Sequence, residues 1–340
     1  MQKRIAVLGT GANGASIGAD LTIAGFDVVL IDQWPENVAA MRQKGIRIEM
    51  PDRTLVTPVR AFNLCDVCTF TEPFDIVLMV LKAYDARWAA HLIAPYLKAD
   101  GLLVGVQNGM TADTIAEVVG ADRAMGCVLE ISSAMFDPGI VTRDSAHDRS
   151  WFALGSLSPS VKGRENEVAE LLSCSGAVDT VENIQATKWM KLVSNSTTLV
   201  STAILGLSIH AAAAIPEMRT LMVRSGQEAL DVGAALGHPA LPIFGLKADD
   251  VRQTNHLVDT LLDVLLSGFT LPSTKTTVLQ DWMKGRHSEV DDLNGLVSHM
   301  AKLHGKPAPV NTAIVELAHR IERGKLKPNP ENLKLLLEMS

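Results

Sequence analysis

The sequence predicts an α/β fold: a doubly wound parallel sheet in the N-terminal half, followed by an all-helical domain. Three observations carry this. An apolar run over 4–8 leads into Gly9-Thr10-Gly11-Ala12-Asn13-Gly14 and then into a helical pattern. Short apolar runs go on alternating with helical patterns, as in a parallel sheet covered on both faces. From about Glu182 onward no convincing strand remains. The boundary falls near Val181, giving an expected dinucleotide-binding domain over 1–181 and a helical substrate domain over 182–340.

The elements follow in order. Residues 4–8 read as a strand, 12–24 as a helix, 27–31 as a strand and 35–44 as a helix. A buried strand over 75–81 precedes a helix reaching about 97, then a strand over 102–106. Strand, helix and strand in this order imply right-handed crossovers. Beyond Ile131, 140–141 and 151–154 look like short strands that extend the same sheet. Helical patterns then cover 186–208, 216–236, 250–266, 291–304 and 311–323.

Composition narrows the function classes. A chain of 340 residues suggests about two domains, because single cores seldom grow past about 250 residues. The net charge of −7 argues against a nucleic-acid partner, which would want a basic face. Four cysteines do not make a disulfide scaffold. Cys65 and Cys68 form a lone C-x-x-C without the further ligands zinc needs, so ordinary structural thiols are expected. The apolar run after MQKR is too short for a signal peptide. The uncharged stretch 192–216 holds too many hydroxyls for a membrane span and reads as a helix buried in a domain or at a dimer interface. We therefore expect a cytoplasmic protein without membrane contact, assembled as a homodimer.

The glycine motif is informative because of its setting. Gly9 would permit a tight turn, Gly11 would let the backbone approach a pyrophosphate, and Gly14 would let the helix pack on the strand. Ala12 and Asn13 open the helix, whose N-terminus offers free N–H groups to phosphates. This is the Rossmann signature of a dinucleotide site; a plain glycine-rich turn is the alternative. Asp32 ends the second strand, where a carboxylate accepts hydrogen bonds from an adenosine ribose and repels a 2′-phosphate. It favours NAD(H), with NADP(H) still open, and it could equally cap the next helix. Gln33 and Trp34 bring no positive charge, and Arg42 is the nearest basic residue downstream.

Other candidate segments lie further along. Lys82 ends one strand pattern, and Gln107-Asn108-Gly109-Met110 follows another; both should rim the cleft at the carboxyl ends of the strands. On a helix, Lys191, Asn195, Thr198 and Thr202 fall on one side. A lysine there loses hydration, which eases proton release, unless it snorkels to solvent. Thr277-Val278-Leu279-Gln280-Asp281 leads on to Glu289-Val290-Asp291-Asp292-Leu293-Asn294-Gly295, by itself a helix with an acidic end.

Taken together, these segments resemble the ketopantoate reductase (2-dehydropantoate 2-reductase) family over nearly the whole chain. The shared motifs, in order, are the glycine loop, L-K-A, N-G-M, K-W-M-K-L-x-x-N, and S/T-x-L-Q-D followed by E-x-D-x-L-N-G. The resemblance implies NAD(P)H-dependent reduction of a small-molecule 2-keto acid, 2-dehydropantoate foremost. It makes Lys191 the general acid and Glu289 its supporting carboxylate. Asn195 and Thr277 would bind substrate, Asn108 would lie near nicotinamide and substrate, and Lys82 would line the cofactor cleft. There are two departures. NADPH-linked members usually carry basic residues after the second strand, where this chain has Asp32. Extra sequence at about 237–270 could reshape the substrate pocket. An NAD-linked dehydrogenase of another bulky 2-hydroxy acid, such as a D-mandelate-like one, is the alternative.

Overall fold

The computed structural model describes residues 2–253 and 256–340. It divides into two compact units, one ending at Ile184 and one spanning Gln185–Ser340.

The first unit holds twelve strands among its described residues. They are β1 Arg4–Leu8, β2 Asp27–Asp32, β3 Ile46–Glu49, β4 Thr54–Thr57, β5 Ala61–Asn63, β6 Phe74–Met79, β7 Leu97–Val106, β8 Ala124–Glu130, β9 Ser133–Ala134, β10 Ile140–Arg143, β11 Trp151–Ser156 and β12 Ala177–Thr180. Eight form the main sheet in the order β12-β11-β8-β7-β6-β1-β2-β5. Its pairings are parallel except β8 with β11. Helices α1 Ala12–Ile23, α2 Pro35–Lys44, α3 Ala86–Ile93, α4 Ala112–Val119 and α5 Glu165–Leu172 cover it. Ile5 and Val7 belong to the core on one face, Ala6 and Leu8 to the core on the other, which is why β1 is apolar at nearly every position.

Two expectations need correction here. Residues 151–154 do extend the main sheet, within β11, but 140–141 do not. They lie in β10, part of a separate sheet ordered β4-β3-β10-β9. Gly139 steers β10 there: its N–H donates to Asn37 Oδ1 (2.8 Å), and its carbonyl accepts from Arg47 N–H (2.9 Å). Those partners are about a hundred residues distant, so nothing local foretells them. Also, β7 begins at Leu97 rather than 102, its polar start hidden by Lys98, Asp100 and Gly101.

The second unit is helical: α6 Ile184–Leu205, α7 Ile209–Ala213, α8 Pro216–Ala235, α9 Ala248–Gln253, α10 Leu257–Gly268, α11 Thr277–Met283, a π turn over Asp291–Gly295, α12 Leu296–Leu303, α13 Pro309–Glu322 and α14 Asn332–Met339. The single helix expected over 250–266 is thus two, and residues 254–255 lie outside the described residues. The helix expected over 186–208 stops at Leu205, and Gly206 takes a left-handed φ of 69°. The uncharged stretch from Leu192 forms the buried spine of this unit. Its hydroxyls bond back to carbonyls one turn earlier: Thr197 to Val193, Thr198 to Ser194, Ser201 to Thr197 and Thr202 to Thr198, all at 2.8–3.0 Å. A helix can be both hydroxyl-rich and buried on those terms. Among the described residues no helix is long and apolar enough to cross a membrane.

Candidate active site

In the first unit, the residues expected at a cofactor come from four adjacent strands, β7-β6-β1-β2, all parallel. Their carboxyl ends share one edge of the sheet, the edge at which open α/β sheets bind ligands. The loop Gly9–Gly14 leaves β1 there, Asp32 ends β2, Lys82 follows β6 and Asn108 follows β7. The glycines differ in what they permit. Gly9 has a φ of 93°. A Cβ at Gly14 would sit 1.9 Å from the Gly9 carbonyl oxygen, so only glycine allows α1 to start so close to β1. A Cβ at Gly11 would meet nothing within 4 Å, leaving open space before the N-terminus of α1, which no side chain caps. Free N–H groups beside open space fit a pyrophosphate.

Asp32 does more than the sequence reading gave it. Its Oδ2 accepts from Thr10 N–H (2.6 Å) and from the Thr10 hydroxyl (2.7 Å), and its Oδ1 accepts from Trp34 N–H (2.8 Å), at the entrance to α2. Asn37 Nδ2 donates to the Thr10 carbonyl (3.0 Å). The carboxylate therefore clasps the glycine loop and starts α2, and its Oδ1 retains one lone pair. Asn13 Oδ1 accepts from the Ser133 hydroxyl (2.6 Å), which brings the turn at 130–133 to the loop. Arg42 is committed: Nε donates to the Ala61 carbonyl (2.7 Å) and Nη2 to Asp66 (2.6 Å). Gln107 Nε2 donates to the Leu81 carbonyl (2.8 Å), joining the ends of β6 and β7 beside Lys82 and Asn108. Asn108 Oδ1 is buried with no hydrogen-bond partner. Cys65 and Cys68 are exposed free thiols, not core residues, and no group of metal-ligand side chains forms among the described residues.

In the second unit, α6 carries Lys191 and Asn195 one turn apart, 4% and 2% exposed. The other two motif segments are fastened to this helix. The Thr276 hydroxyl donates to the Leu199 carbonyl (2.9 Å) and caps α11, setting Thr277 at the first helical position. Asn294 Nδ2 donates to the Ser196 carbonyl (3.0 Å) and to Asn311 Oδ1 (2.8 Å), holding the π turn that follows Glu289. From the other side, Glu322 Oε1 accepts from the Ser288 hydroxyl (2.7 Å) and from Trp282 Nε1 (3.2 Å). Asn195 Nδ2 and Thr277 Oγ1 are buried with no hydrogen-bond partner. Burial, then the charges of Glu289 and Asp291, push the Asp292 carboxyl up to about 6.

Sequence reasoning missed Thr10, Asn37 and Glu322, which hold the predicted residues in place. It also missed Phe244, whose ring lies 4.9 Å from Lys191 Nζ. The only available signal was Thr10 inside the glycine loop; the others sit in ordinary helical or loop sequence.

A glycine-loop sheet edge in one unit and a lysine-bearing buried helix in the other make the class that of a two-unit, dinucleotide-linked oxidoreductase. Within that class, the chain belongs to the ketopantoate reductase family: the model described as Ketopantoate reductase PanE/ApbA matches residues 5–157, and its C terminal counterpart matches 183–322. It is 25% identical over 323 residues to the 2-dehydropantoate 2-reductase of Halobacterium salinarum, with 94% of this chain and 99% of that protein covered. It resembles the crystal structure of a PanE/ApbA family ketopantoate reductase from Ralstonia eutropha JMP134 at a TM-score of 0.78 and 25% identity, covering 95% and 99% of the two chains. The fold is also that of D-mandelate dehydrogenase, solved with NADH and anilino(oxo)acetate, at a TM-score of 0.81 and 21% identity, covering 95% and 99%.

Proposed function

We propose that this enzyme reduces a 2-keto acid to the 2-hydroxy acid, with 2-dehydropantoate as substrate and NADH as the preferred cofactor. The observation that carries the proposal is the pair of unpartnered buried polar atoms, Asn195 Nδ2 and Thr277 Oγ1, on elements that share α6 with Lys191. A buried donor without a partner costs about 1–3 kcal/mol, and a ligand's hydroxyl or carboxylate would recover that.

The reduced nicotinamide, when bound, supplies a hydride. Lys191 Nζ donates a hydrogen bond to the keto oxygen and gives it a proton as negative charge develops there; its burial keeps water from competing. Glu289 supports the ammonium. Asn195 and Thr277 hold the hydroxyl and carboxylate ends of the substrate, and Asn108 lies near the nicotinamide. Gly9, Gly11, Ala12, Asn13 and Gly14 shape the pyrophosphate cradle, with Lys82 at its rim. NADH is favoured because a 2′-phosphate at the end of β2 would meet Asp32, while Gln33 is neutral and Arg42 is already paired with Asp66.

The test is steady-state turnover with NADH and NADPH across 2-dehydropantoate and bulky aryl 2-keto acids. We expect kcat/KM to be highest for 2-dehydropantoate with NADH. Lys191→Ala should lower kcat by about 10²–10⁴-fold while NADH still binds. Wild-type turnover in that variant would refute the assigned chemistry.

A further inference from the structure

We propose that Phe244 is a positioning residue that holds the Lys191 ammonium over its ring face. The proposal rests on Lys191 being the acid, and it gives a role to the extra sequence between α8 and α10.

Phe244 is the one non-glycine among the described residues with a positive φ, at 59°. A bulky residue in the left-handed region is uncommon and strained, so it persists only where the surroundings enforce it. Here they do. Phe244 is 5% exposed, its ring packs against Phe269 with centroids 5.1 Å apart, and Gly245 continues the left-handed turn with a φ of 77°. The turn delivers the ring to Lys191 Nζ, 4.9 Å from the centroid. A cation over an aromatic face is attracted by the ring quadrupole, more strongly where water is excluded.

The rest of the loop reinforces this placement. His238 stacks on Trp189 with ring centroids 5.3 Å apart, and Trp189 Nε1 donates to the Ala229 carbonyl (2.9 Å). Trp189 and Lys191 are two residues apart on α6, so their side chains point about 200° apart. The segment from His238 to Phe244 therefore grips opposite sides of the helix, immediately around the lysine. A long, flexible side chain has many rotamers to choose among. The ring face adds to what restrains the ammonium, so less orientation is lost when the keto oxygen arrives.

The experiment compares Phe244→Leu, Phe244→Tyr and ring-fluorinated phenylalanines at position 244, with Lys191→Ala alongside. Phe244→Leu keeps apolar volume but loses the quadrupole; kcat should fall by about 5- to 30-fold with KM for NADH unchanged. Phe244→Tyr retains the face and should restore kcat to within about twofold. Progressive fluorination keeps the shape, so folding is preserved, and kcat should fall stepwise. Wild-type kcat in both Phe244→Leu and the trifluorinated form, with Lys191→Ala inactive, would overturn this role and leave the lysine assignment standing. Wild-type turnover in Lys191→Ala would instead remove the reading on which it rests.

Discussion

Around the glycine loop of the N-terminal unit, the polar side chains are committed to one another. Thr10 is hydrogen-bonded to both Asp32 and Asn37, and Asn13 is bonded to Ser133. Around α6 of the helical unit, Asn195 and Thr277 each hold a buried polar atom with no partner. The glycine loop is finished in the folded chain; the surroundings of α6, like Asn108 after β7, hold binding capacity in reserve. On the proposed function, the difference follows from what each half would recognise. A pyrophosphate is met by backbone N–H groups, so side chains there can serve the loop's shape. A small acid is met by side chains, which must stay uncommitted until it binds.

The largest expected effect breaks the finished half. Gly14→Ala puts a Cβ 1.9 Å from the Gly9 carbonyl oxygen, both of them backbone-fixed. Overpacking of this kind costs about 1–3 kcal/mol or more, and relief requires α1 to back away from β1. NADH affinity, measured by fluorescence titration, should fall by more than about 100-fold, with a lower Tm. Near-normal NADH binding would mean that the loop is not the cradle.

Asn195→Ala and Thr277→Val probe the reserve. Each removes a buried atom that the free enzyme leaves unsatisfied, so Tm should hold or rise slightly. By contrast, kcat/KM for the keto acid should fall by about 10- to 100-fold, the scale of a lost hydrogen bond to a charged or reacting group. Loss of stability without loss of activity would show these atoms to be structural, and the comparison between the halves would collapse.

How much of this was legible depended on distance along the chain. The glycine loop reads directly because strand, turn and helix are contiguous. Lys191 and Asn195 read as a pair because four residues make one helical turn. The clasp between Asp32 and Thr10 did not, because a carboxylate at a strand end looks the same whether it faces a ribose or a loop 22 residues earlier. Nor did the ion pair of Arg143 with Asp20, fully buried and 123 residues apart, which fixes α1 to β10. Phe244 was invisible for another reason: a single aromatic residue in a loop has no periodicity, and its significance lies in its backbone angle.

Asp32 sharpens the comparison more gently. Because Oδ2 is occupied twice by Thr10, Asp32→Asn should weaken NADH binding by about 3- to 10-fold through loss of a charge-assisted bond to the loop, and weaken NADPH binding less, because the repulsion of a 2′-phosphate goes with the charge. The exposed neighbour Gln33 is free of that duty. Gln33→Arg should raise kcat/KM for NADPH by about 5- to 10-fold and leave NADH nearly unchanged. If Asp32→Asn left the NADH to NADPH ratio unchanged, the carboxylate would be a clasp alone and not the source of the NADH preference.

The smallest effect is one of pH, and its sign differs between the units. In the N-terminal unit, the hydrogen bond from Arg164 holds the Glu167 carboxyl down at about 2. Its contribution is present above the ordinary carboxylate value and is lost as pH falls toward 2. Asp292, beside the motif glutamate, behaves oppositely. Burial and the charges of Glu289 and Asp291 hold it up at about 6. The native state then binds more protons than the unfolded chain between about 4 and 6, so this carboxyl's stabilising share is complete below that window and lost as pH rises through it. Asp292→Asn stays neutral throughout. Partial exposure screens the effect, so we expect a Tm gain of only about 1–3 °C at pH 7.5, vanishing at pH 4. A gain of equal size at both pH values would trace the change to packing and not to the crowded charges beside Glu289.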